Sequence, residues 1–109
     1  MKEIDIENAF LEKITQLVEA DIAADWQLEK LCKALAMSRS QIYRKIKTST
    51  GYSTTIFIRC IRLRRALQLL KTTDLPIAHI AYAVGFNDPA FFTNSFSQMY
   101  GKTPSEIRK

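Results

Sequence analysis

An internal repeat with an offset of 49 to 50 residues constrains this fold more than any other feature of the chain. At an offset of 49, five positions match five later ones: Leu28, Leu31, Cys32, Leu35 and Ala36 correspond to Ile77, Ile80, Ala81, Val84 and Gly85. At an offset of 50, the match continues: Ser38, Ile42, Ile46, Gly51 and Ser53 correspond to Asp88, Phe92, Phe96, Gly101 and Thr103. Because caps, apolar positions and terminating glycines coincide, the repeat predicts two tandem helix-turn-helix units, the second with one extra turn residue.

The later copy has the pattern of a helix, a tight turn and a second helix. Gly85 gives the turn its backbone freedom, and Asp88 followed by Pro89 is typical of an N-cap and a first helical position. Phe92 and Phe96 are predicted to point inward. The outward face then carries short side chains, which allow a helix to lie close against another surface: Ala90, Thr93 and Asn94.

The net charge is +5, but charged residues are segregated along the chain. Residues 1–29 carry a net charge of −6, residues 30–73 hold eleven basic and no acidic residues, and residues 74–109 are neutral. An ordinary solvated surface mixes both signs. A long stretch without a carboxylate therefore predicts a polyanionic partner, and the acidic face of the first helix is expected to point away from it.

Composition argues against several other classes of protein. An apolar fraction of 47% suits a small globular domain, and no apolar run approaches the ~18 residues of a membrane span. The first residues do not resemble a signal peptide, so we expect a cytoplasmic protein without membrane contact. Cys32 and Cys60 are expected to be reduced, buried thiols. We expect no metal, no cofactor and no enzymatic activity, since one histidine is too few for zinc and no nucleophile–base set is present.

Periodicity and capping residues predict seven helices. The first is expected to be capped by Asp5, and Trp26 to close the base of the first unit. Ser38 with Gln41, and later Thr103–Glu106, have the pattern of a capping box. The predicted helices cover residues 5–22, 28–36, 39–49, 54–72, 77–84, 89–100 and 104–108.

The third helix has the outer face best suited to reading DNA. Ile42 and Ile46 are predicted to face inward, which leaves a polar and basic surface. Arg44 is the first choice for a guanine edge, because a bidentate arginine discriminates between bases by about 1–3 kcal/mol. Tyr43 is expected to contact a thymine methyl group or a phosphate, and Ser40 is small enough to allow close approach.

The fourth helix is predicted to be clamped between the two units, since its apolar residues occupy more than one side. Nineteen residues at about 1.5 Å each span about 28 Å. This approaches the ~34 Å between successive major grooves on one face of B-DNA. Its arginines are expected to divide between phosphate contacts and internal ion pairs, in a way that the pattern leaves open: Arg59, Arg62, Arg64 and Arg65.

The chain resembles the DNA-binding domain of the AraC-type transcriptional regulators. The resemblance rests mainly on residues 80–89, on Phe91, Phe92 and Phe96, and on residues 100–104, and it extends back through residues 38–41 to about Leu28. It implies an all-α fold of seven helices, with two helix-turn-helix subdomains joined by a long central helix and inserted into adjacent major grooves. Thr54 departs from the proline that is often found there. The predicted subdomains are residues 5–52 and 74–109, with the linker helix at 53–73.

The resemblance also assigns residues to DNA contacts. Base reading falls on Ser40, Tyr43 and Arg44 in the first unit and on Pro89, Ala90, Thr93 and Asn94 in the second. The base-reading positions of the second unit include no arginine or glutamine, and Asn94 is left open between an adenine edge and the DNA backbone. Further polar and basic residues are predicted to contact phosphates or position the domain: Arg39, Gln41, Lys45, Lys47, Arg62, Ser97, Lys102 and Ser105.

The predicted function is sequence-specific binding of double-stranded DNA for transcription regulation. AraC-type regulators usually carry a separate sensing or dimerisation domain, so the chain is either a small one-domain regulator or the terminal piece of a larger protein. The segment 38–45 is similar to output domains of hybrid two-component sensor-regulators, which favours the larger protein. Linked sensor or receiver domains and RNA polymerase are then expected partners. The alternative is a basic helical module that docks on an acidic protein or a membrane surface through its fourth helix.

Overall fold

The computed structural model describes residues 8–25 and 27–109, which form seven α-helices and no strands. The helices are α1 Ala9–Glu19, α2 Gln27–Leu35, α3 Arg39–Thr50, α4 Thr54–Thr72, α5 Ile77–Ala83, α6 Pro89–Tyr100 and α7 Pro104–Arg108. The predicted all-α class and the number of helices are confirmed for this part of the chain. The fold is elongated, with extents of 41 × 23 × 22 Å.

The first helix is shorter than predicted at both ends. Asn8 caps it, because Asn8 Oδ1 accepts a backbone N–H of the first turn at 2.7 Å, and α1 therefore begins at Ala9. The helix ends at Glu19, three residues before the predicted end. The prediction was too long because an apolar period does not reveal where the helical backbone bonds stop. The predicted N-cap Asp5 and the predicted role of Trp26 lie outside the described residues.

The other helices agree with the predicted bounds to within one residue, and capping side chains mark the starts of α3, α4, α6 and α7. The predicted capping boxes open α3 and α7, and Ser53 caps α4 with an Oγ that accepts a backbone N–H at 3.2 Å. Thr54, which stands in the place of a proline, is the first residue of α4; its side chain is buried and its hydroxyl has no hydrogen-bond partner among the described residues.

Two apolar cores share α4, which contacts α1 and α3 on the one hand and α5, α6 and α7 on the other. The first core consists of Leu11, Ile14, Val18, Leu31, Ile42, Ile46, Phe57, Ile58 and Ile61. The second core consists of Cys60, Leu63, Ala66, Leu70, Ile80, Ala81, Val84, Phe86, Phe92, Phe96 and Met99. Both cores include residues of α4, so the predicted clamping of this helix between two units is confirmed.

The repeat is preserved in the backbone bonds of the two turns. The N–H groups of Gly85 and Phe86 donate to carbonyls three and five residues earlier, at 3.0 and 2.9 Å. Those of the equivalent Ala36 and Met37 do the same at 3.4 and 3.2 Å. This is the Schellman arrangement, which requires a left-handed residue just after the helix. Gly85 has φ +96° and Ala36 has φ +53°.

Candidate nucleic-acid interface

The outer face of α3 carries a contiguous polar surface, while its opposite face is buried in the first core. Arg39, Ser40, Tyr43 and Arg44 line one shallow depression on this outer face. All four side chains are exposed, Tyr43 by 44%. The three predicted base-reading residues of the first unit therefore lie side by side on one accessible surface.

The other predicted contacts of the first unit are exposed and make interactions within the protein. Lys47 Nζ donates to the carbonyl of Gly51 at 2.8 Å, and Lys45 Nζ lies 4.9 Å from the centre of the Phe10 ring. Gln41 Oε1 accepts the backbone N–H of the N-cap residue at 2.8 Å, which fixes the start of α3. Because such exposed contacts contribute little, about 0.5–1.5 kcal/mol for a hydrogen bond and about 0.5–1 kcal/mol for a cation over a ring, both ammonium groups can exchange them for a phosphate.

The outer face of α6 is uncharged and presents smaller side chains. Ala90 and Asn94 are exposed, whereas Pro89 and Thr93 are half-buried. Asp88 Oδ1 accepts the N–H of Ala90 at 2.9 Å, which fixes the start of the helix. This face allows close approach but offers few groups for hydrogen bonds to base edges.

The predicted phosphate contacts of the second unit surround this helix. Ser97 is half-buried on α6, and its Oγ donates to the carbonyl of Thr93 at 2.9 Å. Lys102 follows the C-terminal end of α6, and Ser105 lies in the first turn of α7. Both are exposed.

The four arginines of α4 have different surroundings. Arg62 donates to backbone carbonyls at 2.8 and 3.1 Å, which corrects the prediction that it contacts phosphate, because a half-buried guanidinium with these acceptors is not free to face DNA. Burial lowers the pKa of Arg62, and nearby Asp25 acts in the opposite direction. Arg64 forms an ion pair with α1, and Arg65 is exposed. The guanidinium carbon of Arg59 lies 5.0 Å from an aromatic ring centre on α6.

Acidic and basic residues that are separate along the chain are neighbours in the fold. Three ion pairs among the described residues join the basic segment 30–73 to the acidic segment before it: Arg39 with Glu29 at 2.6 Å, Lys30 with Asp21 at 3.8 Å, and Arg64 with Glu19 at 3.0 Å. These pairs partly neutralise the net charge of +11 that residues 30–73 carry. Of the two arginines that line the depression on α3, Arg39 is paired with Glu29 and Arg44 has no carboxylate partner among the described residues.

Phe91 is not singled out by the sequence pattern as a surface residue, yet its ring is 47% exposed and lies against Arg59. The helical period offers a signal, because Phe91 falls outside the stripe formed by Phe92 and Phe96. A cation over an exposed ring gains about 0.5–1 kcal/mol. Phe91 thus holds a cation of α4 beside the first turn of the second reading helix.

Neither cysteine forms a disulfide. Cys60 is buried in the second core, and burial raises the pKa of its thiol, whereas Cys32 is half-buried rather than buried as expected. Within residues 8–25 and 27–109, no group of three or more metal-binding side chains could hold an ion. No helix in the same part of the chain combines the length and the apolar character needed to cross a membrane.

A helix, a tight left-handed turn and an exposed second helix define a helix-turn-helix, and the described residues contain two of them around one central helix. A family profile described as a helix-turn-helix domain matches residues 31–109. The chain belongs to the AraC-type helix-turn-helix family. DNA binding and transcription regulation are the functions of this family.

The chain is also similar to named proteins. The chain is 35% identical over 104 residues to histidine kinase P4 of Formosa agariphila, and 31% identical over 101 residues to the Msm operon regulatory protein of Streptococcus mutans. These matches cover 94% and 93% of the chain but only 8% and 36% of the relatives. The C-terminal domain of AraT, a response regulator from Geobacillus stearothermophilus, has a TM-score of 0.76 and 28% identity, over 93% of this chain and 84% of that chain.

Proposed function

We propose that this chain binds double-stranded DNA sequence-specifically as the output domain of a larger transcriptional regulator, with α3 and α6 in adjacent major grooves. The subdomains predicted at 5–52 and 74–109 would each supply one of these helices. The observation that carries the proposal is the exposed depression of Ser40, Tyr43 and Arg44 on a helix whose start is fixed by a capping box. A recognition helix reads base edges with residues near its N-terminal end.

The two units are proposed to contribute unequally to recognition. Arg44 can bond a guanine edge bidentately, and Tyr43 can contact a thymine methyl group. On α6, Pro89, Ala90, Thr93 and Asn94 are proposed to lie close to the bases, with Asn94 the only amide among them. The first unit therefore supplies most of the base discrimination, and the second supplies fit and register.

Phosphate contacts are proposed for basic and polar side chains around both reading helices. In the first unit these are Arg39, Gln41, Lys45 and Lys47, and in the second unit Ser97, Lys102 and Ser105. Such contacts position a protein on the duplex without specifying its sequence. Arg65 and Arg59 are the α4 arginines that remain available for the same role.

The parent protein is proposed to be longer than this chain and to act in the cytoplasm. AraC-type domains often sit in proteins with sensor or receiver domains, and the chain matches only 8% of histidine kinase P4. Such domains would change the affinity or the arrangement of the DNA-binding segment, and RNA polymerase would be the further partner. Neither metal, cofactor, enzymatic activity nor membrane contact is part of this proposal.

The alternative, a module that docks through α4, has less support. Phe57, Ile61 and Leu63 on α4 are buried, and three of its four arginines interact within the protein. This helix therefore lacks a free apolar or fully basic face. Binding to anionic vesicles that equals binding to a selected duplex would support the alternative.

Selection of bound oligonucleotides from a random pool, followed by titration of variants, tests the proposal. We expect Arg44→Ala to weaken binding by about 1–3 kcal/mol and to relax preference at one base pair. Asn94→Ala should cost less, and Lys71→Ala, at the far end of α4 from α3, removes an exposed positive charge as a control. Equal and small losses for Arg44→Ala and Lys71→Ala would contradict the assignment of base reading to α3.

A further inference from the structure

Arg62, in the middle of α4, makes hydrogen bonds to both halves of the molecule. Its Nε donates to the carbonyl of Ile22 at 3.1 Å and its Nη2 to that of Ala24 at 2.8 Å, both in the loop between α1 and α2. Its Nη1 donates to the carbonyl of Gly85 at 3.5 Å, in the turn between α5 and α6. One planar guanidinium therefore joins the loop that precedes the first helix-turn-helix to the turn of the second.

The turn of the second unit is shaped to receive this guanidinium. A Cβ atom at Gly85 would lie 2.9 Å from both Cζ and Nε of Arg62 and 3.1 Å from the carbonyl oxygen of Ile22. Real Cβ contacts are longer than this, so the guanidinium packs directly against the glycine backbone. The side chain of Ile22 also packs against both apolar cores.

Apart from α4 and Arg62, contacts between the two units are few, and among them Ile22 and Tyr52 of the first unit pack against the second core. A cleft of about 660 Å³ lies between the units, lined by Leu28 and Glu29 on one side, by Asn87 and Phe91 on the other, and by Arg62 on α4. Apart from α4 itself, the first-unit helices make no extensive contacts with α5, α6 or α7 among the described residues. Helix α4 fixes the distance between the units, but it contacts each unit through a separate core.

We propose that Arg62 is a positioning residue that locks the relative orientation of the two reading helices, and thereby sets the spacing of the two DNA half-sites that the protein accepts. This inference rests on the proposed function. Charge-assisted bonds from a rigid guanidinium fork are directional. The two shorter bonds to the first unit, with the longer bond to Gly85 and the close packing of the guanidinium against that turn, therefore resist both rotation and opening of the cleft. A pair of units with a fixed orientation gains affinity only when both half-sites are correctly spaced.

Arg108 provides a matched control. Its guanidinium also donates to three backbone carbonyls, those of Leu70, Thr73 and Leu75, which all lie at the end of α4 or in the loop before α5. Arg62 and Arg108 thus make the same kind of contact, but only Arg62 joins the two units. Loss of Arg108 should weaken the fold without changing the angle between the reading helices.

The test compares Arg62→Lys and Arg62→Met with Arg108→Lys and Arg108→Met on the selected full site, on each half-site alone, and on full sites with one or two base pairs added. For the unaltered protein, we expect the full site to exceed a half-site by about 10²–10⁴-fold and altered spacing to remove most of this gain. Arg62→Met should keep half-site affinity within about twofold, lose about tenfold at the full site and depend less on spacing. Arg62→Lys should show the same pattern to a smaller degree and covers the case in which Arg62→Met fails to fold.

Residual dipolar couplings measured without DNA give an independent result. One alignment tensor should describe both units of the unaltered protein and of Arg108→Lys, whereas the units of Arg62→Lys should require two. A spacing penalty and a single tensor that both survive in the Arg62 variants would overturn the inference. Failure of the unaltered protein to prefer any duplex would instead overturn the proposed function, and the tensors would still test the role of Arg62.

Discussion

Ala36 adopts a backbone conformation that its side chain disfavours. Its φ of +53° is left-handed, and the equivalent residue of the second unit is a glycine. A left-handed L-residue costs about 1–2 kcal/mol, part of which is offset because alanine restricts the unfolded chain. We expect Ala36→Gly to raise the free energy of unfolding by about 0.5–1 kcal/mol in urea titrations.

The exposed helical residue Ala34 is the control for this change. Ala34→Gly should lower the free energy of unfolding by about 0.5–1 kcal/mol, because glycine in a helical conformation loses more backbone entropy. The same chemical change two residues apart should therefore have opposite signs. Destabilisation by both would show that Ala36 is not left-handed in solution.

Gly85 is required both for its conformation and for the space above its Cα atom. Gly85→Ala should destabilise the fold by about 1–2 kcal/mol through the left-handed backbone conformation. In addition, the new Cβ would lie 2.9 Å from the Arg62 guanidinium and force it to move. Gly51→Ala is the control, because Gly51 also has a positive φ, +81°, but has no atom within 4 Å of the added Cβ. Chemical denaturation should show a clearly larger loss for Gly85→Ala, and this excess should shrink in an Arg62→Ala background. Equal losses at both glycines would contradict the close packing of Arg62.

Single residues also mark how far a sequence pattern can predict the site. The exposed face of Ser40, Tyr43 and Arg44 was predictable, because helical period and a capping box are local in sequence. The internal hydrogen bonds of Arg62 and Arg64 were not predictable, because these acceptors lie 38 to 45 residues earlier in the chain. A local pattern carries no signal for such distant carbonyls and carboxylates.

Among the helices, the capping box of α7 gives stability a pH dependence. The backbone N–H of Thr103 donates to Glu106 Oε1 at 2.9 Å, and this bond, with that of the Thr103 side chain, lowers the pKa of Glu106 from its ordinary 4.5. A carboxyl group with a lowered folded pKa stabilises the fold above its unfolded pKa, and this contribution is lost as pH falls through the folded pKa.

The variant Glu106→Gln isolates this contribution, since glutamine keeps the capping box, as Gln41 does in α3. Between pH 6 and pH 3, we expect Tm to fall further for the unaltered protein than for Glu106→Gln. Circular dichroism melts at several pH values would measure the difference. Parallel curves for the two proteins would mean that Glu106 does not hold a lowered pKa.

Helix bounds followed the sequence wherever a cap was recognisable. Ser53 and Asp88 begin α4 and α6 as the pattern indicates, since their side chains accept backbone N–H bonds. The start of α1 was missed because Asn8 was read as an interior residue of a longer apolar period. The choice among several possible caps depends on which turn the core begins to bury, and this is a tertiary effect.

Across the whole molecule, folding brings carboxylates back onto the basic surface. Glu29 pairs with Arg39 at the start of α3, where a DNA phosphate would otherwise compete for the guanidinium. If about six phosphates are neutralised, the logarithm of the binding constant should fall with a slope near −5 against the logarithm of salt concentration.

Arg39 is proposed to contact a phosphate in competition with Glu29, so removal of this carboxylate should complete that contact. We expect Glu29→Gln to raise affinity and to make the salt slope steeper by about 0.9, which corresponds to one further phosphate contact. Glu12→Gln, an exposed change on α1 without an ion pair among the described residues, is the charge-matched control. Filter-binding titrations at several salt concentrations would measure both, and an identical response of the two variants would leave only a general charge effect.

The helix shared by the two cores also limits how such a protein can have arisen and can vary. Phe57 and Ile61 complete one core, while Leu63 and Leu70 complete the other, so a chain cut on either side of α4 would leave one copy without an inner wall. If the two units arose by duplication, each could change its preferred DNA sequence independently. The units could not be separated into two stable domains unless each had its own copy of α4. Because both cores need the same helix, the two units are expected to be inherited together.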